Sequence, residues 1–217
     1  MERHPSARRT RRDFLWTFLT LPGVLGLALG ERPQAMAQAY TLPPTPSCAE
    51  QDEATPAQIE GPYYKRNSLQ RTSLLEPGMT GTHLVVAGSV LAPDCRPLAR
   101  VLVDFWQADA QGVYDNAGFR LRGHQFTDEA GRYSLETAVP GLYPGRTRHL
   151  HVKVQAPNQP ILTTQLYFPG EPSNATDGLF NPHLLMTVQD TSSGKAAVFN
   201  FVLESQPRRT RARSGQG

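Results

Sequence analysis

From Thr82 onward, apolar residues recur in short runs: HLVVAGSVL, VLVDFWQ, GRYSLETAV, HLHVKVQA, ILTTQLYF and AAVFNFVLE. Each run is rich in Val, Thr, Phe or Tyr, and turn-forming clusters such as APD, DEAG and APNQP separate them. Runs of this length between such breaks predict β-strands, and their repetition predicts an all-β fold, a β-sandwich of mostly antiparallel strands with long loops. No segment of ordinary helix length carries a 3.6-residue apolar period, so no competing helical reading arises. DEAGRY predicts a hairpin turn in which Gly131 supplies a positive φ.

Four segments follow from this pattern and from composition. Residues 1–37 place paired arginines (Arg11, Arg12) ahead of an uncharged apolar stretch, Phe14 to Gly30, and small residues follow at Ala35, Ala37 and, just past the segment, Ala39. That order predicts an export signal of the twin-arginine type rather than a membrane span, hence a periplasmic or extracellular protein with no stable membrane anchor once the signal is cut. Residues 38–81 form a Pro-rich arm that includes GPYY, residues 82–204 the β-sandwich, and residues 205–217 a basic tail expected to be disordered. Two cysteines, Cys48 and Cys95, lie in the exported part, and an even count in an oxidising compartment predicts a disulfide between them.

The net charge of +3 belongs to the ends. Without the leader and the tail, 12 basic residues face 16 acidic ones. A mildly acidic body with no stripe of Lys and Arg among aromatics excludes nucleic acid as its partner.

The densest chemistry is YPGRTRHLH, Tyr143 to His151. In a strand, His149 and His151 project to one face while Leu150, Val152 and Val154 project to the other. The pair is either half of a metal site or a polar strand edge, and the spacing alone does not decide; imidazoles suit Zn, Cu, Fe and Ni alike. The near neighbour is a phenol, Tyr143, with no acid between Glu136 and Glu171. A phenol titrates near 10, so a phenolate ligand at neutral pH implies a strongly charged ion.

These residues resemble the intradiol ring-cleavage dioxygenases, the catechol and protocatechuate enzymes. The resemblance is carried by WQADAQGVY ending at Tyr114, by PGLYPG with Tyr143, by R-x-x-H-x-H with Arg146, His149 and His151, and by Gln165 in LTTQ, and it runs from about Ile59 to Glu204. It implies ferric iron, Fe(3+), held by Tyr114, Tyr143, His149 and His151, and a reaction in which O2 cuts a catechol-type ring between its two hydroxylated carbons to give a muconate-type diacid. It further implies that Tyr114 leaves the metal and accepts a catechol proton, that Arg146 supplies a positive charge near the reacting ring, that Gln165 positions a hydrogen bond, and that Pro62 and Tyr63 line the substrate.

Tyr63 and Tyr64 remain competing phenolate donors, and His124 is the remaining rival imidazole, expected behind the ligands or at the surface. Two departures stand out: only five residues separate Tyr143 from His149, and no helical dimerisation segment is expected ahead of the sandwich. Substrate identity and oligomeric state therefore stay open. A transthyretin-like binding module, or a Zn or Cu enzyme on the H-x-H strand, remains an alternative.

Overall fold

The computed structural model describes residues 53–204. The expected leader (1–37), the start of the arm with Cys48, and the basic tail (205–217) lie outside the described residues.

Among the described residues, nine strands build two sheets. They are β1 (His83–Leu91), β2 (Leu102–Trp106), β3 (Arg122–Phe126), β4 (Arg132–Ala138), β5 (His149–Gln155), β6 (Leu162–Tyr167), β7 (Thr187–Thr191), β8 (Gly194–Val198) and β9 (Phe201–Val202). One sheet runs β4-β1-β8-β7 with β9 also on β1; the other runs β3-β2-β5-β6. All pairings are antiparallel except those of β1 with β8 and with β9. Among the described residues the only helical pieces are two 3₁₀ turns, Pro172–Ala175 and Pro182–Leu184. The expected all-β sandwich is the fold.

The core lies between the sheets. Val103, Phe105, Leu150, Val152, Val154 and Leu166 of one sheet meet Leu84, Val86, Tyr133, Leu135, Ala197 and Phe201 of the other. Period-2 alternation then sends Asp104, Trp106, His149, His151, Gln165 and Tyr167 to the outer face of the β3-β2-β5-β6 sheet. That face is not solvated, because the arm crosses it. Gln58 N donates to Thr163 O at 2.8 Å, Gln165 Nε2 donates to Ile59 O at 3.1 Å, and Gln70 bridges to His124. At the start of β5 the polar side is buried as well, with His149 and His151 enclosed, while Lys153 and Gln155 further along are half-buried.

Two elements differ from expectation. The DEAG turn forms, with Gly131 at φ 73, but β3 and β4 on either side of it belong to different sheets. It is a corner between layers rather than a hairpin. Strands β3 and β7, with sequences RGHQF and TVQDT, carry too little apolar pattern to be predicted.

Candidate metal centre

Each candidate side chain is delivered by a local device. His149 and His151 come from the start of β5, with His151 opposite Trp106 of β2 and Gln165 of β6. Tyr114 follows a tight turn organised by Asp109, whose Oδ1 accepts from the amides of Gln111 at 2.9 Å and Val113 at 3.0 Å. Tyr143 lies on the loop that packs against this turn. The two loops touch backbone to backbone: a Cβ on Gly112 would sit 2.1 Å from Leu142 O, and one on Gly141 would sit 2.4 Å from Gly112 N. Only glycine permits that approach, and Gly112 also has φ 82. The glycines of WQADAQGVY and PGLYPG therefore bring the two tyrosines to one place.

There the donors converge. Tyr114 Oη is 3.3 Å from His149 Nε2, and His149 Nε2 is 3.2 Å from His151 Nε2. The Tyr114 and Tyr143 rings meet edge to face at 5.8 Å. His149 Nδ1 donates to Thr147 O at 2.6 Å, which fixes the tautomer and leaves the Nε2 lone pair pointing inward. His151 Nδ1 is buried with no partner among the described residues, and its ring is set instead by parallel stacking on Trp106 at 4.8 Å.

Both imidazoles are neutral at ordinary pH. Burial pushes His149 down to about 4, with the Arg146 charge adding to the effect against the Thr147 carbonyl and Asp177. Burial, the neighbouring His149 and the two arginines push His151 well below its usual value. Burial likewise raises Tyr114, with Arg146 and Arg122 opposing. The site therefore holds neutral imidazoles and a phenol that ionises only against a strong positive charge.

This donor set fits a metal ion. The lone pair of His149 Nε2 faces Tyr114 Oη and His151 Nε2, the latter on a ring whose Nδ1 has no partner to fix its tautomer. A cation among these three atoms takes a separate bond from each. Two ligands bound to one ion at 2.0–2.2 Å and at right angles stand about 3 Å apart, close to the observed spacing of the imidazoles. Among the described residues no cluster of three or more His, Cys, Asp or Glu is arranged for a metal, so phenol oxygens are the anionic donors within reach.

Arg146 is not a free charge. Its Nε donates to both oxygens of Asp177 at 3.1 and 2.9 Å, and its Nη2 to Gln165 Oε1 at 2.6 Å. Asp177 also accepts from the amides of Thr147 (2.8 Å) and Leu179 (2.9 Å). Burial pushes the Asp177 carboxyl up, yet those amides and the guanidinium outweigh it and hold it below the ordinary range. Gln165 is fully buried; its oxygen also accepts from Tyr167 Oη at 3.1 Å, and its nitrogen pins Ile59 of the arm.

The other candidates are placed as follows. Tyr63 enters the site, with Oη 2.8 Å from Tyr143 Oη, while Pro62 beside it is exposed. Tyr64 points elsewhere, donating to Asp104 Oδ2 at 3.3 Å. His124 bonds Ser68 Oγ at 2.9 Å. Arg148 is engaged with Glu171 Oε1 at 2.7 Å. Sequence reasoning missed Asp177, Tyr167 and Arg122; Asp177 sits in the turn-forming TDG, which signals a turn and nothing more. A cavity of about 460 Å³ lined by Leu142, Tyr143, Arg146 and Asp177 opens beside the centre.

A family model described as Dioxygenase matches residues 59–205. The chain belongs to the intradiol ring-cleavage dioxygenase family. Catechol 1,2-dioxygenase 2 of Acinetobacter lwoffii is 32% identical over 147 residues, covering 54% of this chain and 52% of that protein. A 6-chlorohydroxyquinol 1,2-dioxygenase of Cupriavidus pinatubonensis is 28% identical over 213 residues, covering 86% and 73%. The chain thus spans about half of the first of these relatives and about three quarters of the second. Among solved structures, the dioxygenase domain of a dioxygenase and carbohydrate-binding protein fusion from Streptomyces sp. SirexAA-E aligns with a TM-score of 0.70 and 56% identity, over 71% of this chain and 100% of that one.

Proposed function

We propose that the protein is a non-haem ferric dioxygenase that cleaves a catechol between its two hydroxylated carbons, placing both atoms of O2 in a cis,cis-muconate-type diacid. The observation that carries this reading is the convergence of Tyr114 Oη and two neutral imidazole Nε2 atoms within 3.3 Å, with Tyr143 against them. Family membership and the names of the relatives, which are catechol-type dioxygenases, support it.

Tyr114, Tyr143, His149 and His151 would hold the iron. Bound ferric iron supplies the electron-withdrawing centre that lets a catecholate react with triplet O2. The remaining work belongs to the chain. Burial raises the Tyr114 phenol, so its phenolate would be a strong base and its Oη would accept one catechol proton. Arg146 is held rigid by Asp177 and Gln165 and presents a fixed positive group beside the substrate; a preorganised charge of this kind lowers barriers by several kcal/mol. The arm, pinned through Gln58 and Gln165, keeps water off the outer face of the sheet.

Export through the twin-arginine route remains part of the proposal, since it delivers folded, metal-loaded proteins. Metal analysis with oxygen uptake on a panel of catechols tests the reading. One iron per chain and stoichiometric O2 consumption support it. Zn or Cu at stoichiometry supports the enzyme of another class on the H-x-H strand, and no metal supports a binding module.

A further inference from the structure

Three phenols meet at the centre, and the third has no role in the scheme above. Tyr63 Oη is 2.8 Å from Tyr143 Oη. Its ring stacks on Tyr114 at 4.4 Å with 16° between the planes, and meets Tyr143 edge-on at 5.6 Å. A substrate-lining side chain would face the open space beside the metal; this one is committed on both sides to the two tyrosines.

Its backbone is held with equal care. Arg122 is 1% exposed, and its Nη1 donates to Tyr63 O at 2.6 Å. Nη2 and Nε of the same guanidinium donate to Asp115 O at 2.9 and 3.3 Å. Asp115 follows Tyr114 directly. One buried cation therefore ties the arm residue Tyr63 to the loop that carries Tyr114, and burying a guanidinium on carbonyl oxygens is costly enough to mark a fixed geometry.

We propose that Tyr63 is a positioning residue for the metal centre: its hydroxyl donates to Tyr143 Oη when that oxygen is a phenolate, and its ring, anchored through Arg122, holds Tyr114 over the imidazoles. The inference rests on the ferric reading given above. A phenolate oxygen only accepts, so the bond between the two oxygens then has a single direction, from Tyr63 to Tyr143. A bond to an ionised acceptor is roughly twice as strong as one between neutral groups. It draws electron density from the phenolate, which lowers that ligand's donor strength and raises the energy of charge transfer from phenolate to metal.

The experiment compares the iron-reconstituted full chain with Tyr63→Phe and Tyr63→Leu, reading the visible absorption maximum and the midpoint of a chelator competition. Both variants lack the hydroxyl, so in both the charge-transfer band moves to longer wavelength. Iron affinity falls by roughly 10-fold in Tyr63→Phe, because the lost orientation of Tyr143 outweighs the gain in its donor strength; that is the usual scale for losing a group that orients a metal ligand. Tyr63→Leu also loses the stack on Tyr114 and falls further. A band and a chelator midpoint that stay at the wild-type values in both variants overturn the proposal. If the wild-type protein itself develops no visible band with ferric iron, the ferric reading fails, an outcome distinct from failure of the Tyr63 bond alone.

Discussion

Replacing Asp177 by Asn tests whether Arg146 works as a positioned charge. Asp177 serves three donors at once: Arg146 Nε, the amide of Thr147 and the amide of Leu179. The Asp177 side chain is 3% exposed and that of Arg146 17%. Removing one partner of a fully buried ion pair costs about 3–5 kcal/mol. Arg146 keeps some solvent and its bond to Gln165, and Asn retains one accepting oxygen, so about 2–3 kcal/mol is the appropriate scale. For a domain of this size that lowers the melting temperature by roughly 4–12 °C.

The effect also has a pH signature. The Asp177 carboxyl is held below its usual range, so its contribution is fully present above the unfolded value near 3.9 and is lost as pH falls through the lower folded value. Asp177→Asn therefore flattens the acid limb of the stability curve. Because the guanidinium is released from its fixed orientation, kcat falls about 10- to 100-fold while iron content is kept. Differential scanning calorimetry from pH 3 to 7 with steady-state oxygen uptake measures both. A melting temperature within about 2 °C of wild type and an unchanged kcat would refute the reasoning.

Four further outcomes follow from the same geometry. Tyr143→Phe abolishes the visible charge-transfer band and activity together, checked by absorption and oxygen uptake. Gly112→Ala, whose Cβ would meet Leu142 O at 2.1 Å, destabilises by at least about 2 kcal/mol and lowers iron loading, read by denaturant unfolding and metal analysis. In the metal-free protein, burial lowers His149 to about 4 when folded against near 6.5 when unfolded, so stability declines as pH falls between those values; His149→Gln reduces that slope in calorimetry and leaves the share of His151. Mass spectrometry after alkylation without reductant finds no free thiol if Cys48 and Cys95 are joined, and two alkylated thiols remove the bond.

The shared face of His149 and His151 was legible in strand alternation, whereas Tyr114 and Tyr143 were named through the family resemblance and not by any short-range rule. Strand alternation puts His149 and His151 on one face, and the glycines in the motifs around Tyr114 and Tyr143 permit the close loop packing. Asp177, Arg122 and the placement of Tyr63 were not legible, because each depends on a partner far along the chain. Arg146 meets Asp177 across 31 positions, and Arg122 meets Tyr63 across 59. Strand β3 escaped for a related reason: Arg122 and Gln125 read as polar loop residues, yet tertiary contacts bury both. Strand β7 is a largely exposed edge that needs no apolar alternation.

The measurement closest to the central claim is the fate of labelled oxygen. The iron-reconstituted protein, given catechol under oxygen-18 gas, is predicted to yield cis,cis-muconate carrying both labelled atoms, one in each new carboxylate. A semialdehyde from cleavage outside the hydroxylated carbons, a product with a single label, or no oxygen consumption by the iron-loaded protein would contradict the account.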